Sequence, residues 1–248
     1  MSVYRLSTST DFPPIANADP DGLIAVGGDL SAERLISAYA NGIFPWFDEE
    51  NPLMWWSPDP RCVLFPDKFN LSKSLERTLR GSTFVVTADT AFGDVIRACR
   101  LIKRADQDGT WITEDMQSAY TELHNQGVAH SVEVWREDHL VGGLYGVSLG
   151  NAFFGESMFS TVRDASKVAF AHLVDVLRQQ HFSFIDCQMH TPHLASLGAI
   201  EVPRATFAGM LQGALQQDTH TGPWNHWFQD GTTSSCINPP DAPLPGPS

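Results

Sequence analysis

The chain has 248 residues and a net charge of −13, with 42% apolar and 18% charged residues. This is the composition of an ordinary globular protein long enough to bury its own core. The acidity, taken alone, argues against a polyanion partner. Cys62, Cys99, Cys187 and Cys236 are widely spaced with no C-x-x-C pair, which excludes a recognisable zinc site or disulfide framework and fits a reduced compartment.

The N-terminus lacks a charged start followed by an apolar run, and no stretch reaches the roughly 18 apolar residues that span a bilayer. A cytoplasmic protein is expected. Residues 1–62 are rich in Pro, Gly, Trp and Phe and read as a small N-terminal domain. One helix is predicted there, from the cap Ser31 to Tyr39, with Leu35, Ile36 and Tyr39 at helical spacing. Pro58 and Pro60 then impose an extended, irregular path.

Two helices follow. Leu71, Leu75 and Leu79 share one face while Lys73, Arg77 and Arg80 share another. In the second, Phe92, Val95, Ile96 and Cys99 form the apolar stripe beside Arg97, Arg100 and Arg104. Between Arg61 and Arg104 there are nine basic residues against four acidic ones. That local excess in an acidic chain points to an anionic partner, although a solvated basic face is the commoner meaning of such a run. A third helix starts at the cap Thr113 and stops at Gly127.

Beyond Gly127 the period changes to two. Strands are predicted at Ser131–Trp135, Leu140–Val147 and Asn151–Phe159. A helix covers Asp164–Gln180, and a strand Phe182–Gln188. A short helix runs from His193 to Leu197, a strand over Ile200–Val202, and a last helix to about Leu215. The order describes an α+β fold, with a second domain over 63–217. Residues 218–248 read as a tail, largely disordered by composition, in which Trp224, Trp227 and Phe228 can dock.

Two acids stand in apolar strands. Phe184, Asp186 and Gln188 alternate onto one face, and Glu156 shares a face with Phe154 and Met158. An acid in such a run is costly unless hydrogen-bonded, so a strand-end cap for Asp186 and a water-facing edge for Glu156 stand beside the functional readings. Trp46, Trp55, Trp56 and Trp111 either line a pocket for an apolar group or a nucleobase, or pack between domains. Gly155–Phe159 is not G-x-S-x-G. Cys187, His190 and His193 lack a fourth metal ligand, so no metal is expected.

Read together, the ordered blocks resemble a known family. They are Gly22–Ser31, Tyr39–Phe47, Trp55–Arg61, Gly109–Thr113, His130–Trp135, Gly142–Gly146, Gly155–Ser160, Ile185–Gln188 and Ala195–Ala199. Over about residues 10–210 the chain closely resembles the bacterial leucyl/phenylalanyl-tRNA–protein transferases. The resemblance implies a small N-terminal domain followed by a GNAT-type acyltransferase domain. It implies transfer of Leu or Phe, and Met less well, from aminoacyl-tRNA to the N-terminus of proteins beginning with Arg or Lys, which are then destroyed by the N-degron pathway. No cofactor is implied, because the donor ester is already activated. A monomer is expected.

By the same resemblance Trp46 and Trp111 lie near the aminoacyl-adenosine end, and Leu144, Phe153 and Met158 line the apolar amino-acid pocket. Glu156, Asp186 and Gln188 form the polar centre, with Asp186 and Gln188 as the catalytic pair. Asp186 would orient Gln188 and stabilise the ammonium formed during attack. Lys73, Arg77 and Arg80 would meet tRNA phosphates. Leu144 departs from the family's Met, a swap of similar volume. An acyl-CoA-dependent N-acetyltransferase is an alternative, but Ser160–Ala165 lacks the glycines of a pyrophosphate loop. A non-catalytic RNA-binding module is the other, and it leaves the apolar settings of Asp186 and Glu156 unexplained.

Overall fold

The computed structural model describes residues 3–81, 84–102 and 112–228. Its strands are β1 (Tyr4–Leu6), β2 (Leu23–Gly27), β3 (Phe44–Pro45), β4 (Met54–Trp56), β5 (Arg61–Leu64), β6 (Val85–Ala88), β7 (Ala129–Arg136), β8 (His139–Leu149), β9 (Ala152–Ser160), β10 (Phe184–Gln188) and β11 (Ile200–Val202). Its helices are α1 (Ala32–Ala40), α2 (Lys73–Gly81), α3 (Phe92–Leu101), α4 (Glu114–Asn125), α5 (Ala165–Gln179), α6 (Pro192–Ser196) and α7 (Arg204–Ala214). No described helix is long and apolar enough to cross a membrane.

The N-terminal segment holds more than the one predicted helix. Its strands form a four-stranded sheet in the order β1-β2-β4-β3. These strands run for only two to five residues, too short for alternation to register. Strand β5 leaves this segment and joins the main sheet, whose order is β11-β5-β10-β9-β8-β7-β6. Strand β6, which the sequence pattern does not announce, forms one edge.

Both faces of the main sheet are covered. Leu35, Val95, Tyr120 and Phe207 bring α1, α3, α4 and α7 into one core. Leu75, Leu79 and the apolar stripe of α5 fill the other. Caps set the helix starts: Ser31 accepts from the Arg34 amide and Thr113 from the Met116 amide. The helix α3 lacks a cap of its own; the buried Glu133 carboxylate accepts from Ala91 N–H at its start.

Pairing is antiparallel within the main sheet except between β9 and β10, which run parallel and are joined through α5. That pairing stops at Asp186 opposite Phe154. Beyond it the two strands part, and the gap between them is where the polar residues gather. The tail residues up to 228 pack against the sheet. Trp224 is buried, stacks on His130 at 3.8 Å, and donates its backbone N–H to Asp89 at 2.7 Å.

Candidate active site

A cavity of about 390 Å³ opens at the gap between β9 and β10. Leu144, Phe153, Met158, Phe170, Leu173 and Leu194 make its apolar wall; Trp46, Glu156 and Gln188 stand among the other lining residues. Five substrate-binding candidates from the sequence, Trp46, Leu144, Phe153, Glu156 and Met158, therefore share one chamber with Gln188. Trp111, the sixth, lies outside the described residues, as do Lys103 and Arg104.

Glu156 does not follow the simple strand alternation expected of it. The pairing of β8 with β9 shifts register between Tyr145–Ser157 and Gly146–Gly155, which leaves Glu156 as an extra residue. Phe154 consequently packs into one core and Met158 against the other, so the two do not share a face. The bulge is what brings Phe153 and Met158 onto the same wall despite their odd spacing. Gly146 makes room beside it: a Cβ there would sit 2.3 Å from the Phe154 carbonyl oxygen and 2.5 Å from the Phe153 ring.

A second irregularity corrects the reading of β10. Its pairing with β5 shifts between Asp186 and Gln188, and Gln188 has a left-handed φ of 61°. Gln188 turns into the cavity, whereas Asp186 is fully buried and does not line it. The Asp186 carboxylate is occupied by Arg61, whose Nε donates to Oδ1 at 2.8 Å and whose Nη2 donates to Oδ2 at 2.6 Å. It is therefore not placed to meet a substrate ammonium directly. It does hold Gln188, because Oδ1 accepts the Gln188 backbone N–H at 2.9 Å.

Arg61, which sequence reasoning missed as a site residue, is itself enclosed. It donates to the Gly42 carbonyl at 3.2 Å and lies 4.8 and 4.6 Å from the ring centroids of Phe44 and Phe207. A buried carboxylate requires a partner charge, and that requirement is the only signal in the sequence that some Arg or Lys must exist.

The Glu156 carboxylate is the polar centre of the chamber. The Gln188 side-chain amide donates to Oε1 at 2.8 Å, the Tyr39 hydroxyl donates to Oε1 at 2.7 Å, and the Tyr120 hydroxyl donates to Oε2 at 3.1 Å. Burial pushes the carboxyl up to about 7; the Asp186 charge adds to this and the three donated hydrogen bonds oppose it. Tyr39 comes from α1 and Tyr120 from α4, so two helices converge on one strand residue. Nothing in the local sequence marks either tyrosine as a site residue.

Lys73, Arg77 and Arg80 are exposed on α2 while Leu75 and Leu79 face inward, as the helical spacing predicts. Arg80 pairs with Glu76 at 2.6 Å. On α3, Arg97 is paired with Asp94 and Arg100 with Glu114.

Similarity to known proteins fits this geometry. A sequence model described as leucyl/phenylalanyl-tRNA protein transferase matches residues 63–212, and one described as the N-terminal domain of that transferase matches residues 28–59. The chain belongs to the leucyl/phenylalanyl-tRNA protein transferase family. It is 54% identical over 231 residues to the leucyl/phenylalanyl-tRNA–protein transferase of Desulfatibacillum aliphaticivorans, covering 93% of this chain and 99% of that protein. It is 58% identical over 222 residues to the same enzyme of Pseudomonas fluorescens (strain Pf0-1), covering 89% and 98%. The structure of L-PGS from Bacillus licheniformis aligns with a TM-score of 0.38 and 10% identity over 66% of this chain and 55% of that one, too distant to support an argument. The family membership makes this chain an enzyme that transfers an aminoacyl group from tRNA to protein.

Proposed function

We propose that this enzyme moves Leu or Phe, and Met less well, from aminoacyl-tRNA to the N-terminal α-amino group of proteins beginning with Arg or Lys, and so marks them for N-degron degradation in the cytoplasm. The observation that carries this reading is the chamber itself: an apolar wall next to a polar centre formed by Glu156 and Gln188. A chamber of about 390 Å³ is of the size that takes a small ligand. The wall of Leu144, Phe153 and Met158 suits an aliphatic or aromatic side chain and offers no partner to a charged one. Trp46 lines the same chamber, which supports a role for it in stacking on the terminal adenosine. Lys73, Arg77 and Arg80 supply the phosphate contacts.

The parallel strands β9 and β10, joined through α5 and parting after Phe154 and Asp186, support a GNAT-type acyltransferase scaffold. The donor is an activated ester, so the chemistry reduces to placing an amine against a carbonyl carbon and managing one proton. In this reading Gln188 orients the reacting groups through its side-chain amide. Asp186 acts through the Gln188 backbone, held by Arg61.

A CoA donor fits poorly. The start of α5, where a pyrophosphate would sit, carries Asp164, paired with Arg163 at 3.4 Å and Lys167 at 3.3 Å. That carboxylate engages the two cations a pyrophosphate would otherwise recruit at this helix start. The test uses peptides differing only in the first residue, with Leu-tRNA as donor. Transfer to Arg- and Lys-starting peptides and not to Ala- or Glu-starting ones is expected; equal transfer to all four would sink the acceptor assignment.

A further inference from the structure

Three side chains close a ring inside the protein. Tyr39 hydroxyl contacts Tyr120 hydroxyl, Tyr39 contacts Glu156 Oε1, and Tyr120 contacts Glu156 Oε2. Each contact needs one proton between its two oxygens, and each phenol owns a single O–H. An ionised Glu156 thus leaves three contacts with two protons, and one edge of the ring sets lone pair against lone pair. Tyr39 and Tyr120 are fully buried, away from bulk solvent. A proton on Glu156 supplies the missing third and completes every contact.

The same carboxyl lines the chamber. Oε1 already accepts from both Tyr39 and the Gln188 amide, whereas Oε2 accepts only from Tyr120. A carboxylate oxygen has room for two donors, so this carboxyl, with three donors on its two oxygens and a chamber-lining partner in Gln188, keeps one acceptor position for a further proton. We propose that Glu156, held by Tyr39 and Tyr120, is the catalytic residue that takes the proton from the acceptor's α-amine and returns it to the leaving tRNA oxygen. This rests on the aminoacyl-transfer reading above.

The step balances. The amine nitrogen attacks the ester carbonyl carbon, and the C–N bond forms as the carbonyl π pair moves to oxygen. The nitrogen's extra proton passes to the Glu156 carboxylate. The carbonyl reforms, the C–O bond to the ribose breaks, and the leaving ribose oxygen takes the proton from the Glu156 carboxyl. The products are an amide and a tRNA hydroxyl, and Glu156 is again a carboxylate. The Tyr39 and Tyr120 hydroxyls reorient around the ring with each proton movement, which makes them positioning residues.

The electrostatic setting agrees. The groups facing Glu156 are Tyr39 from α1, Tyr120 from α4, and Gln188 and Asp186 from β10. The Asp186 charge is matched by Arg61. His193 and Cys187 line other parts of the chamber. The Glu156 carboxyl lies at about 7, within about one unit of an α-amine at about 7.7–8.0. Proton exchange between groups so matched is close to balanced, the condition that favours general acid–base catalysis.

The test is single-turnover transfer of labelled Leu from Leu-tRNA to an Arg-starting peptide, followed across the neutral pH range in wild type, Glu156→Gln, Tyr39→Phe and Tyr120→Phe. Binding of Leu-tRNA to each is measured alongside. Difference infrared spectroscopy of the free proteins follows the protonated carboxyl stretch. In wild type the rate rises with pH through two groups, Glu156 and the amine. Glu156→Gln slows transfer on the order of 10²–10⁴-fold, retains tRNA binding, and leaves a rise set by the amine alone. Each Tyr→Phe variant removes a donor to the carboxylate and opens the ring, and so displaces the Glu156 step in pH. A carboxyl band titrating near neutrality is present in wild type and absent in Glu156→Gln. Wild-type transfer combined with an unaltered two-group rise in Glu156→Gln, or a Glu156 step that stays in place in both tyrosine variants, would overturn the proposal alone. No transfer by the wild-type protein would overturn the functional reading, and the proposal with it.

Discussion

Replacing Arg61 by Met leaves the Asp186 carboxyl in a fully enclosed site with no cation beside it. The pair is held by two N–H···O contacts of 2.8 and 2.6 Å, and unit charges about 4 Å apart attract by about 4 kcal/mol at an effective dielectric near 20. Breaking a buried pair from one side costs about 3–5 kcal/mol in comparable settings. The Gly42 carbonyl also loses its donor, while the Met side chain keeps touching Phe44 and Phe207. A loss of about 3–5 kcal/mol is therefore expected, a large share of the roughly 5–15 kcal/mol typical of a folded domain. Urea unfolding of wild type, Arg61→Met, Asp186→Asn and the double variant measures it. Adding Asp186→Asn to Arg61→Met removes the stranded carboxyl and should recover much of the loss. Arg61→Lys keeps the charge without the paired N–H donors and should fall between. An Arg61→Met protein within about 0.5 kcal/mol of wild type, the range of ordinary surface changes, would refute this reasoning. So would a double variant as unstable as the two single losses added.

Three further outcomes are expected. Changing Lys73, Arg77 and Arg80 together to Gln should weaken tRNA binding and flatten its log–log salt slope by about 0.7–0.9 for each phosphate no longer neutralised; an unchanged slope excludes α2 from the footprint. Gly146→Ala should force Phe153 and the β9 backbone to move, lowering transfer of Leu and Phe alike while tRNA binding holds; wild-type transfer rates would show that the chamber wall tolerates the shift. Trp224→Ala should cost about 3–5 kcal/mol, the range for deleting a buried aromatic, read from thermal unfolding; a negligible change would mean that residues 218–228 contribute little to the fold.

The long elements are legible in the sequence because their signals are repeated. Helix α5 carries Val168, Ala169, Leu173, Val176 and Leu177 on its inner stripe over four turns, and β7 and β8 extend over eight and eleven residues. The N-terminal sheet is not legible, since strands of two to five residues flanked by Pro and Gly give no period to read. At the site, the residue types are readable and their directions are not. Alternation assumes an unbroken strand, and both site strands carry a register shift, one at Glu156 and one between Asp186 and Gln188. Long-range partners are invisible for a related reason. Arg61 and Asp186 are 125 positions apart, Tyr39 and Glu156 are 117 apart, and no local spacing announces either pair.

The most direct test of the whole account supplies labelled Leu in two forms to the wild-type protein with an Arg-starting acceptor, as Leu-tRNA and as free Leu with ATP, beside labelled acetyl-CoA as a competing acyl donor. The account predicts label on the acceptor's α-amine from Leu-tRNA alone, abolished in Gln188→Ala while tRNA binding persists. Label arriving from acetyl-CoA and not from Leu-tRNA, or full transfer by Gln188→Ala, would contradict it.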